Sequence, residues 1–386
     1  MRVCHVSPHL PPDQAANALL PAELGRWARA RGAEVSFVAH EPAQIRSTTE
    51  ALAGPVAWVP RRGPARPITR LLKIDTWRQA KTIGEALDRM ASRADLLHLH
   101  SNGLIIEVAA AWASRRKVPY VLTLYGTEIW HYRRRRPIDP FLRAYRRAAA
   151  VTFYSQRLLD KARTLGLDRR DLVVVYPAVS EAFRPRAAST RAEWRNALGI
   201  AEPHVILNVK RLHELAGQRF LIDAFARLAR ARHDVRLVIC GTGPLRGDLE
   251  AQAAALGVAD RVTFTGLLPN EEIARYAAIA EVFALPSLLE ALPTVAVEAL
   301  ASGTPVVSAD HPGGVELHEL FGDDVQVVPK GQVAELADAL DESLRSPTRV
   351  LPATLELVAR RFSPAAVEQA YARVYEAALS RHGSGT

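Results

Sequence analysis

The sequence predicts an α/β protein made of two doubly wound, Rossmann-like domains. Three observations predict it. Short apolar runs alternate with segments of helical spacing, first over residues 2–176 and again over 191–308. A stretch poor in helix formers, 176–185, carries two prolines and parts the two series. The length, 386 residues, is ample for two domains.

Taken in order, residues 2–7 form an apolar, β-branched strand that Pro8, Pro11 and Pro12 break. Residues 18–31 have helical spacing and stop at Gly32, a natural C-cap. Residues 35–39 are the next strand. The order repeats with a strand at 96–100, a helix around 105–116, and strands at 119–124, 151–154 and 172–176. After the break come a helix at 191–198, a strand at 204–209, a helix at 219–231 and a strand at 236–240. Then follow a helix at 245–256, a strand at 262–265, a helix at 271–278, a strand at 282–285, a helix at 294–301 and a strand at 305–308. Strands joined through helices pair in parallel with right-handed crossovers. Ligands of such sheets bind beyond the carboxyl ends of the strands. The expected boundary falls at 182, with a first domain over 1–182 and a second over 183–362, and the site is expected in a cleft between them.

Composition excludes several classes. At 48% hydrophobic and 24% charged residues the chain is neither disordered nor a small disulfide scaffold. No run approaches eighteen uncharged apolar residues, and the N-terminus has no basic segment followed by an apolar one. Cys4 and Cys240 sit in separate strand-like runs, which reads as two buried thiols in a reducing cytoplasm. The net charge of +9 is uneven: +13 over 1–182 and −4 over 183–386. Arginine supplies most of it, 44 residues against 6 lysines, so coding bias contributes. A basic first half still favours an anionic partner there.

The strongest cluster lies in PSLLEALPTVAVEALASGTPVV. A strand ends at Pro286, a loop carries Glu290, and a helix opens near Pro293 or Thr294. Its first N–H groups and positive dipole end suit an anion. Glu298, one turn in, can accept hydrogen bonds from sugar or ribose hydroxyls. Arg211 stands just past the end of the 204–209 strand, where a planar guanidinium can neutralise a phosphate. Gly241 and Gly243 form a strand-to-helix turn that admits close backbone approach.

These segments resemble the retaining glycosyltransferases of family 4, whose fold is GT-B. The resemblance rests on HVILNVKRLHELAGQ, RLVICGTGPLRGDLEAQAAALGVADRVTFTG and YAAIAEVFALPSLLEALPTVAVEALASGTPVVSADHPGGVEL, that is, on residues 205–317 above all. FSPAAVEQAYARVYEAAL resembles the family's last helix, which crosses back to the first domain, here 363–381. The resemblance implies a nucleoside-diphosphate sugar as donor. Glu298 would bind its ribose and Glu290 the hydroxyls of the transferred sugar. Ala291, Leu292, Pro293 and Thr294 would present backbone to the sugar and diphosphate, and Arg211 would face the diphosphate. His100, at the end of the 96–100 strand, would lie near the transferred sugar. Tyr125, Gly126, Thr127 and Glu128 would follow their strand into the cleft.

The pattern also breaks. Where the family has a lysine five residues after the arginine, this chain has Ala216. Lys210, His213 and Arg219 are the candidates to replace it, Arg219 being the one assigned to donor binding. The family's Gly-Gly loop after the first strand reads Ala15–Ala16, its T-x-H-G histidine is Tyr125, and its interdomain Asn-Gly is Pro177–Ala178. Together these departures imply a specialised subfamily with an unusual acceptor. The basic run of Arg133, Arg134, Arg135 and Arg136 could attract an anionic acceptor or a membrane surface. No apolar stripe flanks it, so peripheral membrane contact is not favoured, and no motif supports nucleic acid. His98 and His100 share a strand face, but no Cys or carboxylate completes a metal set.

The expectation is therefore a retaining, metal-independent transferase without a cofactor. It would move sugar from a nucleotide-sugar donor to a small-molecule or glycan acceptor by a front-face route. Two other readings stay open: another GT-B enzyme, such as a sugar-nucleotide epimerase, and a degenerate protein that only binds nucleotide sugar.

Overall fold

The computed structural model describes residues 1–13, 16–42, 52–61, 74–135 and 137–383. Ala15 and Arg136 lie outside the described residues. Contacts divide the chain into two compact units. One holds Met1–Val175 with Glu368–Thr386, and the other holds Tyr176–Val367.

The first unit carries a seven-stranded parallel sheet. Its strands are β1 (Arg2–Ser7), β2 (Glu34–His40), β3 (Val56–Val59), β4 (Leu96–His100), β5 (Tyr120–Leu124), β6 (Ala150–Phe153) and β7 (Leu172–Val174). They lie in the order β3-β2-β1-β4-β5-β6-β7. Alternation along the strands gives the sheet two unlike faces. Cys4, Val6, Leu97, Leu99, Leu122, Leu124, Val151 and Phe153 enter an apolar core with the helix Leu104–Arg116. The residues between them, His5, His98, His100, Thr123 and Thr152, are buried on the other face. The last helix, Pro364–Gly383, lays Tyr371 and Tyr375 against His98 on that polar face.

The second unit carries six parallel strands. They are β8 (His204–Val209), β9 (Val235–Cys240), β10 (Val262–Gly266), β11 (Val282–Leu285), β12 (Val306–Ala309) and β13 (Val325–Val328), in the order β10-β9-β8-β11-β12-β13. Its core joins Ile206, Leu237, Ile239, Val282, Ala284 and Val307 with residues of the helices Gln218–Ala229 and Val333–Arg345. Each sheet reverses winding at one point, between β1 and β4 and between β8 and β11. The loops leaving these four strands are where such folds collect ligands.

Two strands escaped the sequence reading, β3 and β13. Both are edge strands of four residues, and each leaves two of the four only half-buried. Edge position alone does not separate them, since the other two edge strands, β7 and β10, are legible as the runs at 172–176 and 262–265. Cys4 and Cys240 are buried free thiols. Among the described residues no helix is long and apolar enough to cross a membrane.

Candidate functional site

In the second unit the loops after β8 and β11 meet. Lys210 and Arg211 follow β8 directly, and Glu290 lies five residues past the end of β11, which pairs with β8. Lys210 Nζ stands 2.5 Å from Glu290 Oε1, both side chains about four-fifths buried. The exposed guanidinium of Arg211 engages no acidic group among the described residues. Its carbonyl accepts a hydrogen bond from buried Gln218 at 3.2 Å, which fixes the backbone of the loop. His213 lies in the same electrostatic neighbourhood. Burial lowers its pKa first; Lys210 and Arg211 lower it further, while Glu290 opposes them.

Backbone contacts weld these loops together. A Cβ at Gly217, where φ is +71°, would sit 2.1 Å from the Pro286 carbonyl oxygen. At Gly241 and Gly243 a Cβ would strike the carbonyls of Lys210 and Leu212, each at 2.1 Å. The close approach foreseen for these two glycines is thus made by the protein's own 210–212 loop. Lys210 N and Leu212 N donate to the carbonyls of Cys240 and Thr242, each at 2.9 Å.

The helix Thr294–Ala301 opens beside Glu290, and no side chain caps its N-terminus. Ala291 and Thr294 are half-buried, Leu292 and Pro293 buried. Glu298 lies one turn into the helix, where burial pushes its carboxyl up to about 7. Gly313 N donates to the Glu290 carbonyl at 3.1 Å, so the helix Pro312–Phe321 also starts at this site. Its N-cap is His311, fully buried, whose Nδ1 accepts from Gly314 N at 3.0 Å. An imidazole that accepts at Nδ1 while neutral carries its proton on Nε2. That Nε2 has no hydrogen-bond partner among the described residues. Burial first, then the charge of Lys210, lowers the His311 pKa to about 4.

Ala216 is fully buried. Arg219 is exposed and turned onto Glu214. The structure therefore does not bring Arg219 to Glu290, whereas it does bring Lys210.

In the first unit His5 and His98 are register partners on β1 and β4. His5 Nδ1 lies 3.1 Å from His100 Nε2, and His100 Nδ1 lies 2.8 Å from the Tyr125 hydroxyl. His98 bonds Tyr375 at 2.7 Å and Thr123 at 2.6 Å. By distance alone the three imidazoles could hold a metal ion, since one nitrogen from each lies within 4.8 Å of the others. Only His5 Nε2 lacks a partner, however, so coordination would break existing hydrogen bonds. Burial holds all three well below ordinary histidine, His5 at about 3. They are neutral hydrogen-bonding groups at pH 7.

His100 is fully buried with both nitrogens engaged, so half-buried Tyr125 is the more outward of the pair. Glu128 is buried and accepts from Gly126 N at 2.8 Å and Tyr125 N at 3.3 Å, which holds that turn. Thr127 is exposed. Ala16 begins the helix Ala16–Ala30. Arg133, Arg134 and Arg135 are exposed, and Arg135 reaches Glu107 at 3.5 Å.

Comparison with known proteins separates this fold from other Rossmann-like pairs. The family "Glycosyl transferases group 1" matches residues 190–359, and "Glycosyltransferase Family 4" matches residues 21–183. The 2-deoxystreptamine glucosyltransferase of Streptomyces kanamyceticus is 33% identical over 67% of this chain and 70% of its own length. The chain belongs to the family 4 glycosyltransferases, of GT-B fold. Another such glycosyltransferase, the 2-deoxystreptamine N-acetyl-D-glucosaminyltransferase of Streptomyces fradiae, is 30% identical over 77% of this chain and 74% of its own. The GDP-mannose-dependent phosphatidylinositol monomannoside mannosyltransferase of Mycolicibacterium smegmatis is 36% identical over 41% and 43%. Among solved structures, Anabaena HepE in complex with UDP superimposes with a TM-score of 0.75 at 21% identity, over 97% of this chain and all of that one. Sequence reasoning did not single out His5 in the first unit, nor His311 and the Lys210–Glu290 pair in the second. The signal for His5 was its alternation with Cys4 and Val6 beside the 96–100 strand. Nothing in the sequence signalled the orphaned nitrogen of His311.

Proposed function

We propose that this glycosyltransferase is a retaining enzyme. It takes a nucleoside-diphosphate sugar in the Tyr176–Val367 unit and transfers the sugar to a small polar acceptor, with the β1–β7 unit contributing the acceptor side. The observation that carries the reading is the contact of Lys210, the chain neighbour of Arg211, with Glu290 ahead of the uncapped helix Thr294–Ala301 at the β8/β11 reversal. The uncapped N–H groups and the unpaired guanidinium suit a diphosphate. Glu290 suits sugar hydroxyls and Glu298 the ribose.

In the proposed front-face step the acceptor hydroxyl attacks the anomeric carbon on the side that the diphosphate leaves. The bond from that carbon to the phosphate oxygen breaks, and the hydroxyl proton passes to the departing oxygen. The step depends on stabilising charge on the leaving group, which Arg211 and the helix N-terminus would do without a resident metal. The names of the Streptomyces relatives make 2-deoxystreptamine the first acceptor to try. The exposed arginines 133–135 argue for including anionic acceptors as well.

The test is a melting screen of sugar nucleotides, since a bound ligand raises apparent stability. It is followed by release of nucleoside diphosphate in the presence of an acceptor panel, with and without EDTA. The proposal expects release with the donor's anomeric configuration kept in the product and no loss in EDTA. An inverted product overturns the retaining assignment. Product formed without any acceptor marks an epimerase instead.

A further inference from the structure

The family's second cation is missing at Ala216, and the structure shows where a cation of this chain stands instead. We propose that Lys210 is the second cation of the diphosphate grip. This rests on the donor reading above and extends it to a residue that the family pattern does not assign.

Three groups compete for the role, and geometry separates them. Arg219 is exposed, projects from the helix Gln218–Ala229 and is already turned onto Glu214. His213 is held toward its neutral form by burial and by its cationic neighbours. Lys210 leaves β8 one residue before Arg211, is four-fifths buried, and sits on the very carboxylate expected to hold the sugar. An ammonium has three donors, and one contact to Glu290 leaves two for phosphate oxygens.

His311 supplies a second, independent observation. Its buried Nε2–H has no partner among the described residues, and it caps the helix whose Gly313 N bonds the Glu290 carbonyl. An unmade buried hydrogen bond is unfavourable. An acceptor-rich ligand beside Lys210 would satisfy that donor, whereas a second protein cation would not. The lysine and the imidazole thus point to the same kind of ligand.

In the structure the Glu290 carboxylate neutralises the Lys210 ammonium. When sugar hydroxyls donate to Glu290, its hold on Lys210 weakens and the charge of Lys210 becomes available to the diphosphate. Donor sugar and diphosphate would then be recognised jointly.

The experiment is calorimetric titration of the purified full chain with UDP, GDP and dTDP, each against its nucleoside. Lys210→Met removes the charge and keeps the length. The expected result is a loss of about 10- to 100-fold in affinity for the nucleoside diphosphate that the wild type binds, and little change for its nucleoside. Lys210→Met/Glu290→Gln removes the pair together and controls for an uncompensated carboxylate. If the double variant stays weak, the lysine itself grips the phosphates. If it recovers wild-type affinity, the single-variant loss came from Glu290 and the proposal is overturned. A Lys210→Met protein that binds diphosphate like the wild type overturns the Lys210 assignment alone, and more so if Arg219→Ala is the variant that weakens. A wild type that binds none of the three diphosphates overturns the donor reading and this one with it. Melting curves in denaturant show that each variant is folded before it is titrated.

Discussion

His98 and Tyr375 are 277 residues apart in sequence, and His98 Nδ1 lies 2.7 Å from the Tyr375 hydroxyl. The contact is fully buried and ties the last helix to the polar face of the β1–β7 sheet. His98 gives its other nitrogen to Thr123, which in turn meets Thr152 at 2.6 Å. Removing one partner of a buried hydrogen bond leaves the other unsatisfied, at about 1–3 kcal/mol. Tyr375→Phe should therefore lower the unfolding free energy by about that amount, measured in urea. His98→Phe/Tyr375→Phe should lose less than the two single variants summed, because neither partner of the 2.7 Å bond is then left unsatisfied. Strict additivity would mean that the two residues are not coupled.

The same polar face makes stability sensitive to acid. His5 is pushed down to about 3 by burial, and His98 and His100 are also held well below the ordinary 6.5. Below pH 6.5 the unfolded chain takes up protons that the folded chain refuses. Stability is full above 6.5 and falls as pH drops, down to about 3 for His5. One such histidine is worth about 2 kcal/mol between pH 7 and pH 5. The measurement is the difference in urea unfolding free energy between those two pH values. His5→Phe should shrink that difference by about 2 kcal/mol, whatever it does to stability at pH 7. An unchanged difference would show that His5 takes up its proton in the folded state.

Glu298 has the opposite sign. Burial raises its carboxyl to about 7, so in the empty protein it is about half protonated at neutral pH. Ribose hydroxyls donate best to the ionised form, and binding them should pull the proton off. Nucleotide affinity should therefore rise from pH 6 to pH 8, with proton release visible as a buffer-dependent enthalpy in calorimetry. Glu298→Gln should bind more weakly and lose the pH dependence. A slope that survives in Glu298→Gln would assign the titration to another group.

How much of this was legible depended on what kind of feature carried it. The interior strands were plain because Leu96–His100 and His204–Val209 are short, apolar and bounded by breakers. Glu290, Glu298 and Arg211 stand out as candidates by their places at strand and helix ends and by the family resemblance of the segments around them. The edge strands β3 and β13 are not legible, although the other two edge strands, β7 and β10, are. The sequence offers Arg219 as a donor residue because the grip on the diphosphate needs a second cation near Ala216. Which cation turns inward depends on side-chain direction at a loop, which spacing does not encode. The salt bridge of Lys210 to Glu290 and the free nitrogen of His311 come from loops that meet only after both strands are in the sheet. His5 was invisible for a related reason: a lone histidine in a strand acquires meaning only from its register partner, His98.

Gly217 offers a test of how tightly those loops must be joined. It and Gly257 share the same φ of +71°, so any side chain is strained equally at either position. They differ in space. A Cβ at Gly257 meets nothing within 4 Å, while one at Gly217 would sit 2.1 Å from the Pro286 carbonyl oxygen. Gly257→Ala should therefore cost only the left-handed strain, about 1–2 kcal/mol. Gly217→Ala carries the same strain and must in addition move backbone against backbone, so its loss of stability should be clearly larger. The movement also has a direction. Pro286 begins the loop that carries Glu290, and Gly217 ends the one that carries Lys210 and Arg211, so forcing them apart should separate the pair that now meets at 2.5 Å. Nucleoside-diphosphate affinity should fall in Gly217→Ala and stay near wild type in Gly257→Ala, both measured by calorimetry at a temperature where each is folded. Equal affinities in the two variants would mean that the contact between these loops serves the fold and not the ligand.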